Sequence, residues 1–280
     1  MVPLWAGVLL VVLTAVAVLL MLAVRRFGAP KGAAKGFMHD PVPPAGVFSV
    51  LGVAFAVLLA FVLFLAFEGY VRAQDGASRE AVSVTQLLRA TSLFPEPQGD
   101  DLRGDLECYA RAVVSDEWPK MADGGESAAV GHWVEEIETT VDGIPIDNAR
   151  TEVTLAHWLD ENTERREGRR ARLAEASTEI PAPVWLMLIA GALVTVLYML
   201  IFADRRERWW VQAAMMGTIA GLVVSSMLVI DFLDHPFTPT GAYIAPDEMT
   251  TTIRLFEEEE DEAANGPPLP LPCDEQGRAG

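Results

Sequence analysis

Residues Ala45–Phe67 read AGVFSVLGVAFAVLLAFVLFLAF, a stretch without a single charged side chain. A helix of about 20 apolar residues crosses the ~30 Å hydrocarbon core of a bilayer, so this stretch predicts a transmembrane span. Three more runs meet the same criterion, at about Leu4–Val24, Val184–Ala203 and Val211–Ile230. The four predicted spans form two pairs, which indicates an integral membrane protein.

The first run could also be a secretory signal peptide. No basic residue precedes it, and RRF at 25–27 follows it in place of a small-residue cleavage site. We therefore interpret it as a span.

Charged residues are concentrated outside the spans, and the formal net charge of the 280-residue chain is -18. Residues 68–182 contain 24 acidic and 12 basic side chains, and residues 235–280 contain 10 and 2. Nucleic-acid binding needs Lys and Arg to displace counterions from phosphates, so this acidity argues against it. The expected partner is the lipid bilayer.

The polar segment between the two pairs of spans has a helical pattern. Leu102, Leu106, Tyr109 and Val113 follow one another in steps of four, three and four, which is the spacing of one helix face. Trp118, Trp133 and Trp158 lie among other apolar residues, and we expect all three in a core. No strand-rich segment is present, so the predicted fold class is all-α.

The predicted domain organisation has four parts. Residues 1–67 form the first membrane pair, 68–182 a helical bundle, 183–234 the second membrane pair and 235–280 a tail. The tail contains the acidic block EEEEDE at 257–262 and then PPLPLP. Blocks of like charge are usually disordered, and proline-rich runs favour an extended chain, so we predict a disordered tail.

The residues typical of enzymes and metal sites are scattered. Cys108 and Cys273 are far apart and form no CxxC or metal-ligand spacing, which argues against a disulfide framework and against zinc. The sequence contains no HExxH, no G-x-S-x-G and no phosphate-binding loop. We predict no catalytic residue, no metal and no cofactor.

The orientation in the membrane stays open. Under the positive-inside rule, short loops rich in Lys and Arg lie in the cytoplasm. Seven such residues occupy the two short loops: Arg25, Arg26, Lys31, Lys35, Arg205, Arg206 and Arg208. Seven more flank the bundle: Arg72, Arg79, Arg165, Arg166, Arg169, Arg170 and Arg172. The short loops favour an extracytoplasmic bundle, but the equal numbers leave the side undecided.

Three stretches together carry a family resemblance: AFEGYVRAQDGASREAVSVTQLLR at 66–89, YARAVVSDEWPKM at 109–121 and LDHPF at 233–237. Their order and spacing resemble the bestrophin-like family of uncharacterised bacterial membrane proteins, over roughly residues 45–250. That family is distantly similar to the bestrophin anion channels. The resemblance implies a homo-oligomer, a pentamer in those channels, with an anion pore lined by the second span and a cytoplasmic bundle. The tandem tryptophans that follow the second span in the channels are replaced here by FEGYVRA.

Two groups of candidate site residues lie in and after the second span. Val53, Val57 and Phe61 fall at i, i+4 and i+8 on one helix face, where apolar rings can gate a pore by dewetting. Any apolar span also has apolar residues at that spacing. Glu68, Arg72 and Arg79 come next and could form a ring of vestibule charges that attracts anions. They could equally be surface ion pairs, Glu68–Arg72 and Asp75–Arg79 at i, i+4.

A third group lies at the end of the fourth span. Asp231 and Asp234 could form a cation site together with Asp247 and Glu248, because hard cations favour oxygen ligands. They could also mark the point where the helix meets water and Pro236 ends it.

Two functions stay open from the sequence. The first is an oligomeric anion channel or channel-like pore. The second is a non-conducting membrane scaffold or sensor whose bundle and acidic tail bind a protein partner.

Overall fold

The computed structural model describes residues 4–27, 42–176, 180–201, 208–239, 241–263 and 271–279. Over these residues the chain is helical, and its β-type pairing is an isolated bridge between Cys273 and Ala279. The helices are α1 Leu4–Phe27, α2 Val42–Thr91, α3 Gln98–Ala112, α4 Trp118–Met121, α5 Ala128–Asp142, α6 Ala149–Ala176, α7 Ala182–Ile201, α8 Trp209–Asp234 and α9 Asp247–Ala263, with a π-helical turn at Val113–Glu117. The predicted all-α membrane fold is confirmed. The loop residues Lys31, Lys35, Arg205 and Arg206 lie outside the described ranges.

The chain divides into two compact units. Residues Met1–Glu68 and Ile180–Asp234 form one, here called the membrane unit. Residues Gly69–Glu179 and His235–Gly280 form the other, here called the bundle unit. Helix α2 begins in the membrane unit and ends in the bundle unit. The described residues after 234 therefore pack with the bundle instead of forming a region of their own.

Within the part of the chain that the structure describes, four helices are long and apolar enough to cross a bilayer, and their apolar stretches lie in the membrane unit. Only 6% to 17% of each apolar window is buried within the chain, so lipid or other chains cover the rest. Where the helices touch, small side chains permit close approach. Ala17 and Met21 of α1, for example, pack against Met216 and Ala220 of α8.

The described residues of the bundle unit pack around a hydrophobic core. The four residues of the predicted α3 face, Leu102, Leu106, Tyr109 and Val113, are completely buried in it, which confirms that pattern. The three predicted core tryptophans are also buried, at 3%, 2% and 0% exposure. Ser127 begins α5, because its hydroxyl accepts hydrogen bonds from the backbone N–H groups of the first turn.

The prediction of a disordered tail is wrong for the part that the structure describes. Helix α9 includes the whole acidic block and packs through Met249 and Phe256, which are 2% and 0% exposed. Arg103 also donates a hydrogen bond from Nη2 to the backbone oxygen of Phe256, at 3.1 Å. Burial of this apolar side offsets the repulsion between neighbouring carboxylates such as those of Glu257 and Glu258, which are exposed.

The expectation that the cysteines form no disulfide framework is also wrong, since the two are bonded to each other. Cys108 of α3 and Cys273 form a disulfide across 165 positions of sequence, with their Cα atoms 5.8 Å apart. Motif spacing cannot reveal such a pair, because folding alone brings the two residues together.

Candidate functional site

The predicted pore residues lie on an exposed face of α2. Val53, Val57 and Phe61 are 63%, 64% and 60% exposed in the single chain. The opposite face of the same helix holds Val62 and Ala66, which are buried against α7 and α8. The periodicity of α2 thus separates a face that packs within the chain from a row of large apolar side chains that does not.

The two predicted vestibule arginines both contact acids of α6. Arg72 donates from Nε to Oε1 of Glu175 at 2.7 Å. The guanidinium of Arg79 lies 3.9 Å from Glu164 and 4.0 Å from Glu167. For Arg79, these acids replace the expected i, i+4 partner Asp75. Both arginine side chains are 52% exposed, so each remains accessible to a solvated ion.

The acids at the ends of the membrane unit have separate positions. Glu68 is exposed at the end of the membrane stretch of α2, and Asp231 lies in the last turns of α8. Both carboxylate oxygens of Asp234 accept from the backbone N–H of Ile180, at 2.9 and 3.2 Å. Asp234 therefore fixes the chain just before α7.

The predicted cation site gains no support from side-chain clustering. Across the described ranges, no three His, Cys, Asp or Glu side chains are grouped closely enough to hold a metal ion. Asp247 and Glu248 lie in the first turn of α9, where carboxylates stabilise the positive end of the helix dipole.

A buried ion network, which the sequence did not reveal, lies in the bundle unit. Arg172 donates from Nε and Nη2 to Glu80 at 2.6 and 2.9 Å, and from Nη2 to Glu117 at 2.7 Å. Arg169 reaches the same Glu117 through Nη2 at 2.6 Å, and the Tyr109 hydroxyl donates to Glu80 at 2.6 Å. Glu80, Glu117 and Arg172 are all 0% exposed. Two carboxylates facing two guanidinium groups give a network with no net formal charge.

The network keeps Glu117 and Arg172 ionised. Burial opposes the charge on Glu117, yet Arg169 and Arg172 outweigh it and hold the pKa of that carboxyl below its usual value. Burial likewise opposes the charge on Arg172, but Glu80 and Glu117 raise its pKa. The guanidinium of Arg172 also lies 4.8 Å above the Trp118 ring, a cation–π contact.

Two glycines allow the helices that carry this network to touch. A Cβ atom added at Gly168 of α6 would lie 2.6 Å from the backbone nitrogen of Glu80 and 2.9 Å from the carbonyl oxygen of Gly76. A Cβ added at Gly76 would lie 2.8 Å from the backbone nitrogen of Arg172. The backbones of α2 and α6 therefore meet at this point, which places Glu80 opposite Arg172.

The LDHPF stretch supplies an aromatic anchor. The Phe237 ring is 2% exposed and meets the Trp118 ring edge-on at 5.6 Å. The backbone N–H of Ile244 donates to the Pro236 oxygen at 2.8 Å, and Trp118 Nε1 donates to the Ile244 oxygen at 3.0 Å. This motif thus binds the chain after α8 to the bundle core.

A family model described as the Bestrophin-like domain matches residues 11–243. The chain belongs to the bestrophin-like family. The match begins inside α1, so the family relationship extends further towards the N-terminus than the resemblance over residues 45–250. Both the row of apolar residues on α2 and the buried ion network lie within the matched range.

Solved structures of a bacterial bestrophin homologue from Klebsiella pneumoniae have a similar fold. A point variant of that homologue gives a TM-score of 0.65 at 14% identity, over 90% of this chain and 98% of the homologue. Another structure of the homologue, phased with zinc, gives 0.61 at 14% identity, over 91% and 97% of the two chains. Among curated protein sequences, none matches the chain. The chain is therefore a bestrophin-like membrane protein by family and by fold.

Proposed function

We propose that the protein is an oligomeric pore for small anions, a pentamer by analogy with the bestrophin channels, whose lining comes from the membrane stretch of α2. The row Val53, Val57 and Phe61 carries this proposal. Its side chains are at least 60% exposed in one chain, although the other face of the helix is packed. In an assembly of several copies, such rows can face one another and form an apolar constriction that opens and closes by dewetting.

The charged positions after the span support a preference for anions. Arg79 is half exposed, and its nearest carboxylates are 3.9 and 4.0 Å away, so its charge is only partly offset. In a pentamer the side chains of this residue would form a ring of positive charge that raises the local anion concentration. Arg72 contributes less, because Glu175 lies only 2.7 Å from its Nε.

Anion flux from proteoliposomes tests the proposal, beside the mass of the purified protein in detergent. Phe61→Ala removes a large side chain from the proposed constriction, and we expect it to change chloride flux at least several-fold. Leu193→Ala is the matched control, because Leu193 of α7 is 65% exposed in the same unit but lies outside the proposed lining. It should leave the flux unchanged.

The other outcomes separate the alternatives. A monomer in detergent would exclude the pore. Equal effects of Phe61→Ala and Leu193→Ala would mean that both residues face lipid. An oligomer that conducts neither as wild type nor as Phe61→Ala would favour the non-conducting scaffold or sensor. If the wild-type protein conducts chloride, Arg79→Glu should lower its preference for chloride over sodium.

A further inference from the structure

The disulfide belongs to a larger contact that fastens the segment 271–279 to the bundle. Cys108 is 0% exposed in α3 and bonds to Cys273 of this segment. Two hydrogen bonds hold the same segment further along. Trp133 Nε1 donates to the Gly277 oxygen at 2.6 Å, and Ser115 Oγ donates to the Gln276 oxygen at 2.6 Å. The disulfide therefore adds a covalent bond to a contact that the backbone oxygens of the segment 271–279 already make with the bundle.

Gly277 shows how closely this segment fits. Its φ of +70° lies in the left-handed region that favours glycine. A Cβ atom there would lie 2.3 Å from the backbone nitrogen of Ala112 and 2.7 Å from the oxygen of Cys108. The segment thus lies directly on the α3 backbone beside the disulfide.

Formation of this bond requires an oxidant. Each thiol loses one proton and one electron when the disulfide forms. A thiol-oxidising protein accepts the two protons and two electrons, and its own disulfide is thereby reduced to a dithiol. Such oxidants act outside the cytoplasm, whereas cytosolic thiols are kept reduced. A buried structural disulfide is therefore evidence about the compartment in which the bundle unit folds.

The short loops agree with this evidence. They carry the basic residues Arg25, Arg26, Lys31, Lys35, Arg205, Arg206 and Arg208. Loops shorter than about 60 residues follow the positive-inside rule, whereas long segments cross the membrane largely regardless of charge. The segment between the two membrane pairs exceeds that length, so its own charge does not prevent its export.

We propose that the bundle unit lies on the extracytoplasmic side of the membrane and is closed there by the Cys108–Cys273 disulfide. Both short loops then lie in the cytoplasm. This orientation is opposite to the one that the resemblance to the bestrophin channels implies. The proposed orientation does not depend on whether the protein conducts ions. An experiment can therefore overturn either proposal without affecting the other.

The state of the two cysteines in cells is the first test. Free thiols are blocked on lysis, and the denatured chain is then treated with a maleimide polymer before or after reduction. The chain contains two cysteines, so we expect no mass shift before reduction and a double shift after it. No shift after reduction would overturn the proposal, because it would mean that both thiols were free in the cell and were blocked on lysis.

Single reporter cysteines then test the orientation in a full-length chain whose Cys108 and Cys273 are both alanine. Ser92→Cys places a thiol at an exposed position at the end of α2, and Ala34→Cys places one in the first short loop. In intact spheroplasts, a membrane-impermeant maleimide should label the first variant and label the second only after permeabilisation. The reverse pattern would overturn the proposal.

A fusion to the native chain covers the case in which loss of the disulfide prevents folding. Alkaline phosphatase is active only after export, so its fusion behind residue 280 reports the side of the bundle unit without any cysteine substitution. We expect an active enzyme. An inactive fusion that accumulates to the same level would contradict the extracytoplasmic orientation.

Discussion

The two stretches of α2 follow opposite packing rules, although they form one helix. In the membrane stretch the fully buried positions are apolar, Val62 and Ala66, and large side chains such as Phe61 point away from the chain. In the bundle stretch a carboxylate, that of Glu80, is completely buried, and Gly76 touches the backbone of another helix. In the bundle stretch, therefore, a charged side chain occupies a buried position of the helix.

The difference follows from the solvent of each stretch. Lipid tails are as apolar as leucine, so helices in a membrane gain little by hiding large apolar residues from them. In the bundle, water drives burial, and a buried carboxylate persists only when cations and hydrogen-bond donors surround it. The stability of the bundle therefore depends strongly on a few buried polar groups. The membrane unit relies instead on many apolar contacts, each of which contributes little.

Loss of Arg172 is expected to have the largest effect on this contrast. Arg172→Met leaves the carboxylates of Glu80 and Glu117 buried without their shared partner. Breaking a buried pair from one side costs about 3–5 kcal/mol, so we expect a large fall in the free energy of unfolding of the bundle. Thermal unfolding of the purified protein, followed by tryptophan fluorescence, measures it.

Arg170→Met is the control for that variant. Arg170 lies two positions earlier in α6, and its side chain is exposed. Removal of an exposed charge changes stability by about 0.5 kcal/mol or less. Equal melting temperatures for Arg172→Met and Arg170→Met would show that the network does not stabilise the bundle.

A methyl group at the crossing of α2 and α6 should have the next largest effect. In Gly168→Ala the new Cβ meets backbone atoms of Glu80 and Gly76, which cannot move aside as a flexible side chain could. We expect a loss of roughly 2–3 kcal/mol, the upper part of the usual cost of overpacking. Urea unfolding of the two proteins measures the difference.

Gly131→Ala is the matched substitution for this test. Gly131 lies inside α5, and a Cβ there would meet nothing within 4 Å. Since alanine is the better helix former, this variant should gain about 0.5–1 kcal/mol. A similar gain for Gly168→Ala would mean that α2 and α6 do not approach as closely as the structure shows.

The sequence predicted the elements that follow apolar periodicity. The four spans and the α3 face, from Leu102 to Val113, were visible because apolar residues mark the buried side. Met249, Ile253 and Phe256 carried the same signal in α9, but the neighbouring acidic block concealed it.

The ion network could not be predicted in this way, because the inner face of α6 is largely polar. Its buried positions are Thr151, Thr154, Trp158, Asn162, Arg165, Gly168 and Arg172. They are spaced by three or four residues, as a helix face requires, yet only one is a large apolar residue. A search for periodic apolar residues therefore finds no buried face in ERREGRRARLAEA and interprets all of its charges as solvent-exposed.

The smallest expected effect concerns Asp105, a buried acid that lies outside the network. Its Oδ2 accepts from the Thr140 hydroxyl at 3.0 Å, and the residue is 7% exposed. Burial raises the pKa of Asp105 from 3.8 to about 6, with smaller contributions from neighbouring acids. The charged groups around Asp105 include the carboxylates of Glu136 and Asp101, so the folded state favours its protonated form more than the unfolded chain does.

A raised pKa in the folded state sets the sign of the pH dependence. The stability that protonated Asp105 provides is complete below pH 3.8 and is lost as the pH rises through about 6. Asp105→Asn cannot lose a proton, so between pH 4 and 7 wild type should lose roughly 1–2 kcal/mol relative to it, with allowance for solvent screening. Urea unfolding at several pH values measures this difference. Asp142→Asn, at an exposed position of α5, should follow wild type, and parallel curves for wild type and Asp105→Asn would show that Asp105 titrates normally.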